Sequence, residues 1–100
     1  MDPIERLIKL NTKECLWIYI LSILEKKPTH AYVLRKKIEE KFGFRPGMVT
    51  AYRVLYSLEN LKFVKSYTEN RKKIYKITKK GRYELKKALE FYKNQIKKLR

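Results

Sequence analysis

Histidine, cysteine, glycine and acidic side chains are all scarce in this 100-residue chain, and each shortage removes a class of chemistry. Cys15 is the only cysteine, so no intramolecular disulfide framework and no Cys-based metal centre can form. His30 is the only histidine, and one His with one Cys cannot supply the three or four ligands of a zinc site. Three glycines leave no glycine-rich phosphate loop. Cys15 itself sits in an apolar helical run, the setting of a buried inert thiol rather than a nucleophile. An enzyme is therefore not expected, and neither a metal nor a cofactor. The most apolar run, Leu16 to Leu24, is nine residues long and interrupted by Ser22. A membrane-spanning helix needs about 20 residues. No secretory signal is visible, and a lone cysteine suits a reducing compartment, so a cytoplasmic, nucleoid-associated protein is expected.

What is abundant is positive charge. Lys and Arg number 26 against 10 Asp and Glu, a formal charge of +16. The excess is uneven: residues 1–60 carry 11 basic and 7 acidic side chains, and residues 61–100 carry 15 basic and 3 acidic. A lysine-rich composition explains the total but not its concentration in the second half. A polyanionic partner explains both.

The order of elements follows from periodicity and breakers. Asp2-Pro3 is a helix start, with Asp as cap and Pro in the first turn, and Ile4, Leu7 and Ile8 recur at helical spacing. From Cys15 to Leu24 nearly every residue is apolar, which predicts a helix covered on more than one side. A second subunit is expected to supply part of that cover, with Leu16, Trp17 and Ile20 at the interface. Lys26-Lys27-Pro28 ends this helix, and Thr29 is the expected cap of the next, which runs to about Lys41 before Gly43. A further helix spans about 48–61. Phe63–Thr68 and Lys72–Thr78 read as an antiparallel hairpin around Glu69-Asn70-Arg71. The last helix begins near Thr78, and Leu85, Leu89, Tyr92, Ile96 and Leu99 step along it by three or four residues.

Helix, helix, helix, hairpin, helix is the order of a winged helix-turn-helix. The fold class is thus mainly α with a small β-hairpin, with N- and C-terminal dimerisation helices. The expected organisation is one domain: an N-terminal helical extension over 1–14, a winged-helix core over 15–78 and a dimerisation helix over 79–100.

Two faces carry the expected chemistry. On the helix near 48–61, Ala51, Val54, Leu55, Leu58 and Leu61 share one side. The other presents Val49, Thr50, Arg53, Tyr56 and Ser57, with no carboxylate to repel phosphate. Those sizes and polarities suit base edges and phosphates in a major groove. The hairpin that follows is strongly basic, so Asn70, Arg71, Lys72 and Lys73, with Thr29, are the expected wing and phosphate contacts. Each face could by itself be an ordinary solvated surface; the two in succession favour double-stranded DNA.

Three blocks of sequence resemble the PadR-type regulators. Ile20-Leu21-Ser22-Ile23-Leu24 followed by Pro28-Thr29-His30-Ala31-Tyr32-Val33-Leu34 is similar to that family's opening helix and its Pro-x-His-Gly-Tyr turn. Thr50 to Glu59 resembles the family's recognition helix, with Tyr52, Leu55, Leu58 and Glu59 in register. Tyr75-Lys76-Ile77-Thr78-Lys79-Lys80-Gly81-Arg82 resembles its Tyr-x-Leu-Thr-x-x-Gly-Arg. Ala31, Arg53 and Lys62 depart from the family's Gly, Pro and Gly, and a Lys in a backbone position that needs positive φ costs roughly 1 kcal/mol. The resemblance implies a homodimer built by the first and last helices that binds a palindromic operator, usually as a repressor. It also implies a small aromatic or cationic effector near the dimer interface, for which Trp17 and Tyr19 are the candidate pocket residues. Two other readings stand beside a sequence-specific regulator: a weakly specific chromatin-type DNA-coating protein, and a winged-helix protein-interaction module.

Overall fold

The computed structural model describes all 100 residues, Met1–Arg100. Five α-helices, one short 3-10 turn and three strands follow in the order α1 (Pro3–Asn11), a 3-10 turn (Lys13–Cys15), α2 (Leu16–Lys26), β1 (Thr29–His30), α3 (Ala31–Phe42), α4 (Met48–Asn60), β2 (Val64–Glu69), β3 (Lys72–Ile77) and α5 (Lys79–Leu99). The small antiparallel sheet has the order β1-β3-β2. This is the α+β winged helix expected from the sequence.

The core is built around α2. Leu16, Ile18, Ile20, Leu21, Ile23 and Leu24 are all buried there. They meet Leu34 and Ile38 of α3, Ala51, Leu55 and Leu58 of α4, Val64, Tyr75 and Ile77 of the sheet and Leu85 of α5. The protomer itself therefore covers most of α2, which corrects the expectation that a second subunit is needed for it. An all-round apolar helix signals cover on every side without saying whose cover it is. For the same reason Leu16, Ile20 and Leu85, expected at a subunit interface, are corrected to core residues: each is at most 3% exposed within one chain.

Thr29 is a second correction. It is 3% exposed, pairs with Tyr75 in the sheet, and its hydroxyl donates to the Lys27 carbonyl at 3.0 Å. The residue that caps α3 is His30, which makes no side-chain capping bond. Thr29 is thus spent on the sheet and is not free to reach a phosphate. The two-residue strand β1 was not expected. It covers the second edge of β3, so that Ile74, flanked by His30 and Tyr67, is buried as well as Tyr75 and Ile77.

Two junctions fix α4 and the hairpin. Gly43 ends α3 at φ 81°, and its N–H donates to the Glu39 carbonyl at 3.0 Å. Arg35 of α3 reaches across the turn to the Pro46 carbonyl at 2.8 Å, anchoring the chain just before α4. At the far end of α4, Lys62 adopts φ 70°. Its N–H donates to Glu59 and that of Phe63 to Leu58, the paired bonds of a Schellman stop. Lys62 thus occupies the left-handed position that its alignment with a family Gly had raised. Thr78 then joins this turn to α5. Its hydroxyl lies 2.7 Å from the Lys62 carbonyl and 3.0 Å from that of Phe63, and accepts from the Gly81 N–H at 3.0 Å. Gly81 is needed for the close approach, since a Cβ there would lie 2.1 Å from the Phe63 carbonyl oxygen.

Candidate nucleic-acid interface

The sequence of α4 puts Ala51, Leu55 and Leu58 against the core and leaves Val49, Thr50, Arg53, Tyr56 and Ser57 exposed together on its outer side. Val54 is half-buried, and Leu61, expected on the packed face, is exposed just beyond the last turn. Gly47 caps the helix without a side-chain bond, and no acidic residue stands in the first turn. The amide N–H groups there face outward with the positive end of the helix dipole.

The hairpin turns through Asn70 and Arg71, which have φ 50° and 64°. Positive φ at both central residues is the type I′ turn, which matches strand twist and favours Asn followed by Gly. Asn70 fits the first position. Arg71 at the second accepts a backbone cost that Gly would avoid, and so places a guanidinium at the tip. Disfavoured backbone at a loop tip is a signal of function when the side chain there is the one with chemistry to offer.

Behind the tip, Lys73 ties the hairpin to α4. Its Nζ lies 3.9 Å from Glu59, 5.7 Å from the Tyr56 ring centroid and 5.4 Å from that of Tyr75. Glu59 also accepts a hydrogen bond from Ser66 of β2. The Tyr75 hydroxyl beside Lys73 raises its pKa first, and Glu59 adds to it, so the ammonium is held charged. Lys73 is therefore both an exposed cation and a strut between wing and α4. Sequence pattern alone did not separate those roles, although Glu59 and Tyr75 both lie in the blocks of family resemblance. A small cleft of about 290 Å³ between these elements is lined by His30, Tyr32, Tyr52, Tyr56, Lys72 and Lys73, among others.

A different groove of about 410 Å³ runs between the 3-10 turn, α2 and α5. Trp17, Cys15, Phe91, Tyr92, Glu84 and Lys87 line it. Trp17 and Glu84 also border a cleft of about 550 Å³ that reaches Arg53 and Ser57 of α4. Tyr19, expected beside Trp17, is corrected: it points elsewhere, packed edge-on against Phe42 and Phe44, with its hydroxyl donating to the Asn11 carbonyl. Burial, with the nearby Cys15, raises the Tyr19 pKa. Sequence reasoning missed two aromatic residues in this groove: Phe91, which it did not single out, and Tyr92, expected at a subunit interface, whose hydroxyl donates to the Asn11 side-chain oxygen at 3.2 Å. The place of Tyr92 in the stripe of α5 was visible, but its contact joins residues 81 apart in the chain.

The remaining expected interface residues divide by position. Leu89, Ile96 and Leu99 are exposed, and Trp17 and Tyr92 are half-buried. Along α1, no residue is buried, and Ile4, Leu7 and Ile8 are each more than half exposed. No helix is long and apolar enough to cross a membrane.

Residues 20–87 match the model of the transcriptional regulator PadR-like family. The chain belongs to that family. Its members are transcription regulators and not enzymes. Among solved structures, a PadR family transcription regulator from Clostridium difficile is 31% identical, with a TM-score of 0.74 over 83% of this chain and 91% of that one. A transcriptional regulator from Clostridium thermocellum is 27% identical, with a TM-score of 0.76 over 84% and 88%. Bacillus subtilis PadR in complex with operator DNA is 26% identical, with a TM-score of 0.68 over 75% of this chain and 47% of that one. A search of curated protein sequences returns no match.

Proposed function

We propose that this PadR-like regulator acts as a homodimeric, sequence-specific repressor of transcription on double-stranded DNA. In this reading α4 enters the major groove, where Arg53, Thr50 and Ser57 meet base edges and Val49 and Tyr56 pack beside them. Asn70, Arg71 and Lys72 follow the phosphate backbone toward the minor groove, and Lys73 sets the wing against α4 while adding its own charge. The observation that carries the reading is the continuity of two features: an acid-free exposed face on α4 and an arginine held at positive φ on the adjoining tip. The operator complex of the Bacillus subtilis relative supports it. Dimerisation is supported by the uncovered apolar residues of α1 and of the distal half of α5.

Selection of bound sequences from random duplex DNA at about 150 mM salt tests the function, since non-specific attraction is weakened there. Enrichment of an inverted repeat is the expected result. Binding without enrichment would favour a DNA-coating role instead. Arg53→Ala should weaken the selected sequence by about 1–3 kcal/mol and random duplex far less. Equal losses on both would remove Arg53 from base readout.

The groove lined by Trp17, Phe91 and Tyr92 supports a second element, a site for a small aromatic or cationic effector. Trp17 and Glu84 link it to the cleft that touches Arg53, so occupancy has a short path to α4. Quenching of Trp17, the single tryptophan, by a planar aromatic cation, lost in Phe91→Ala, is the expected signature.

A further inference from the structure

Helix α5 carries more charge than the wing can account for. Residues 79–100 hold nine basic side chains and two acidic ones. Arg82, Lys86, Lys93, Lys97 and Arg100 are all exposed, and none forms an ion pair. The three ion pairs of the protein are Arg45–Glu39, Lys73–Glu59 and Lys87–Glu84.

These five residues form a stripe. At about 100° per residue from Lys79, they fall within roughly 60° of one another on the helix surface, and Lys79 itself borders them. The arc itself holds no other side chain; Glu90 lies just beyond one edge of it and the exposed Leu89 just beyond the other. Several of the cations are three or four residues apart, a spacing at which like charges destabilise a helix. Only Glu90, four residues from Lys86 and three from Lys93, offsets part of that repulsion.

The stripe also faces a definite way. Gly81, Leu85, Ala88 and Tyr92 pack toward the core. Glu84 lies to one side of them, on the flank that shares a cleft with Arg53 and Ser57 of α4. The basic stripe lies roughly opposite Glu84 around the helix, on the flank turned away from α4. From Arg82 to Arg100 it extends about 27 Å, comparable to the roughly 34 Å of one turn of B-DNA.

We propose that this stripe binds the phosphate backbone of a second DNA duplex, so that one molecule joins two segments of DNA. The inference rests on the DNA-binding reading above and adds a surface to it. Because the stripe lies on the flank of α5 away from Glu84, Arg53 and Ser57, a duplex seated on α4 would leave it open. A straight row of cations suits the regular phosphates of a duplex, while the exposed Leu89 and Ile96 beside it are assigned above to the subunit interface.

The test compares the full chain with the triple variant Lys86→Gln, Lys93→Gln, Lys97→Gln. Gln matches Lys in helix propensity and the three residues lie far along α5 from the wing, so the fold is kept, as circular dichroism would verify. A biotinylated duplex carrying the selected inverted repeat occupies the α4 surfaces, and a fluorescent duplex of unrelated sequence reports capture of a second segment. The wild type should retain the second duplex, and the variant should lose about tenfold or more of it while its affinity for the first changes less than about threefold. Equal capture by both proteins would overturn the proposal, as would no capture by a wild type that still binds the first duplex. Loss of binding to phosphatidylserine vesicles in the variant, with no duplex capture by the wild type, would reassign the stripe to a membrane. A wild type that binds neither duplex would overturn the DNA reading itself, and this proposal with it.

Discussion

Along α2, six residues are sealed inside the protomer, whereas α1, nine residues long and also striped with apolar side chains, buries none. The same contrast runs within α5, where Gly81 and Leu85 are buried near its start and every residue from Lys93 onward is exposed. α2 is apolar on nearly every side, whereas α1 and α5 carry an apolar stripe along a charged helix. The chain folds its own elements over α2 but over neither α1 nor the distal half of α5. The winged core is finished within one chain, whereas the terminal helices leave apolar side chains uncovered there.

A variant that damages the finished part should have the largest effect. Gly81→Ala places a Cβ where the Phe63 carbonyl and Ile77 already sit, in backbone and β-branched side chain that cannot swing aside. The loss expected is ~3 kcal/mol or more, read as a lower urea midpoint. An unchanged midpoint would mean that the α4–wing–α5 junction is far looser than its hydrogen bonds imply.

The unfinished part should respond differently. Leu89→Glu with Ile96→Glu leaves the core untouched, since both side chains are exposed. Monomer stability should therefore hold. Sedimentation at micromolar concentration should shift from dimer to monomer, and affinity for an inverted repeat should fall by about 100-fold as the two half-sites cease to be bound together. Retention of the dimer would move the interface away from α5, toward α1 alone.

Much of this division was legible in the residues, and its failures are instructive. The helices, the hairpin and the acid-free face of α4 followed from spacing, because side-chain period reports which face is apolar. Period does not report what covers that face. Leu16, Ile20 and Leu85 therefore read as interface residues when they are core, while Leu89, Ile96 and Leu99 in the same stripe are open. Thr29 and His30 form a strand too short for alternation to show, so Thr29 read as a cap. Tyr19 and Trp17, two residues apart, lie on different sides of α2, and only Trp17 lines the groove. Lys62 was legible by alignment with a family glycine, whereas Arg71 was not, since nothing in Glu69-Asn70-Arg71 announced which residues would take positive φ.

Those last two residues sharpen the comparison at its finest scale. Lys62 and Arg71 both hold left-handed backbone, one at the structural stop of α4 and the other at the tip of the wing. Replacing either with Gly should stabilise the fold by about 1 kcal/mol, because each relieves the same steric cost. Their effects on DNA should part. Lys62 works through its backbone, whose N–H closes the α4 stop and whose carbonyl receives Thr78, and Gly preserves both. Lys62→Gly should therefore leave affinity within about twofold. Arg71→Gly removes the cation from the tip, so affinity for selected and random duplexes should fall together by about tenfold, with the salt slope reduced by about one. Thermal unfolding and a salt titration on the same two proteins decide the matter. If Arg71→Gly gains stability and keeps its affinity, the tip is a solvated turn and its strained arginine serves no DNA contact. If it gains stability and loses affinity while Lys62→Gly only gains, the backbone cost at Arg71 is sustained by function.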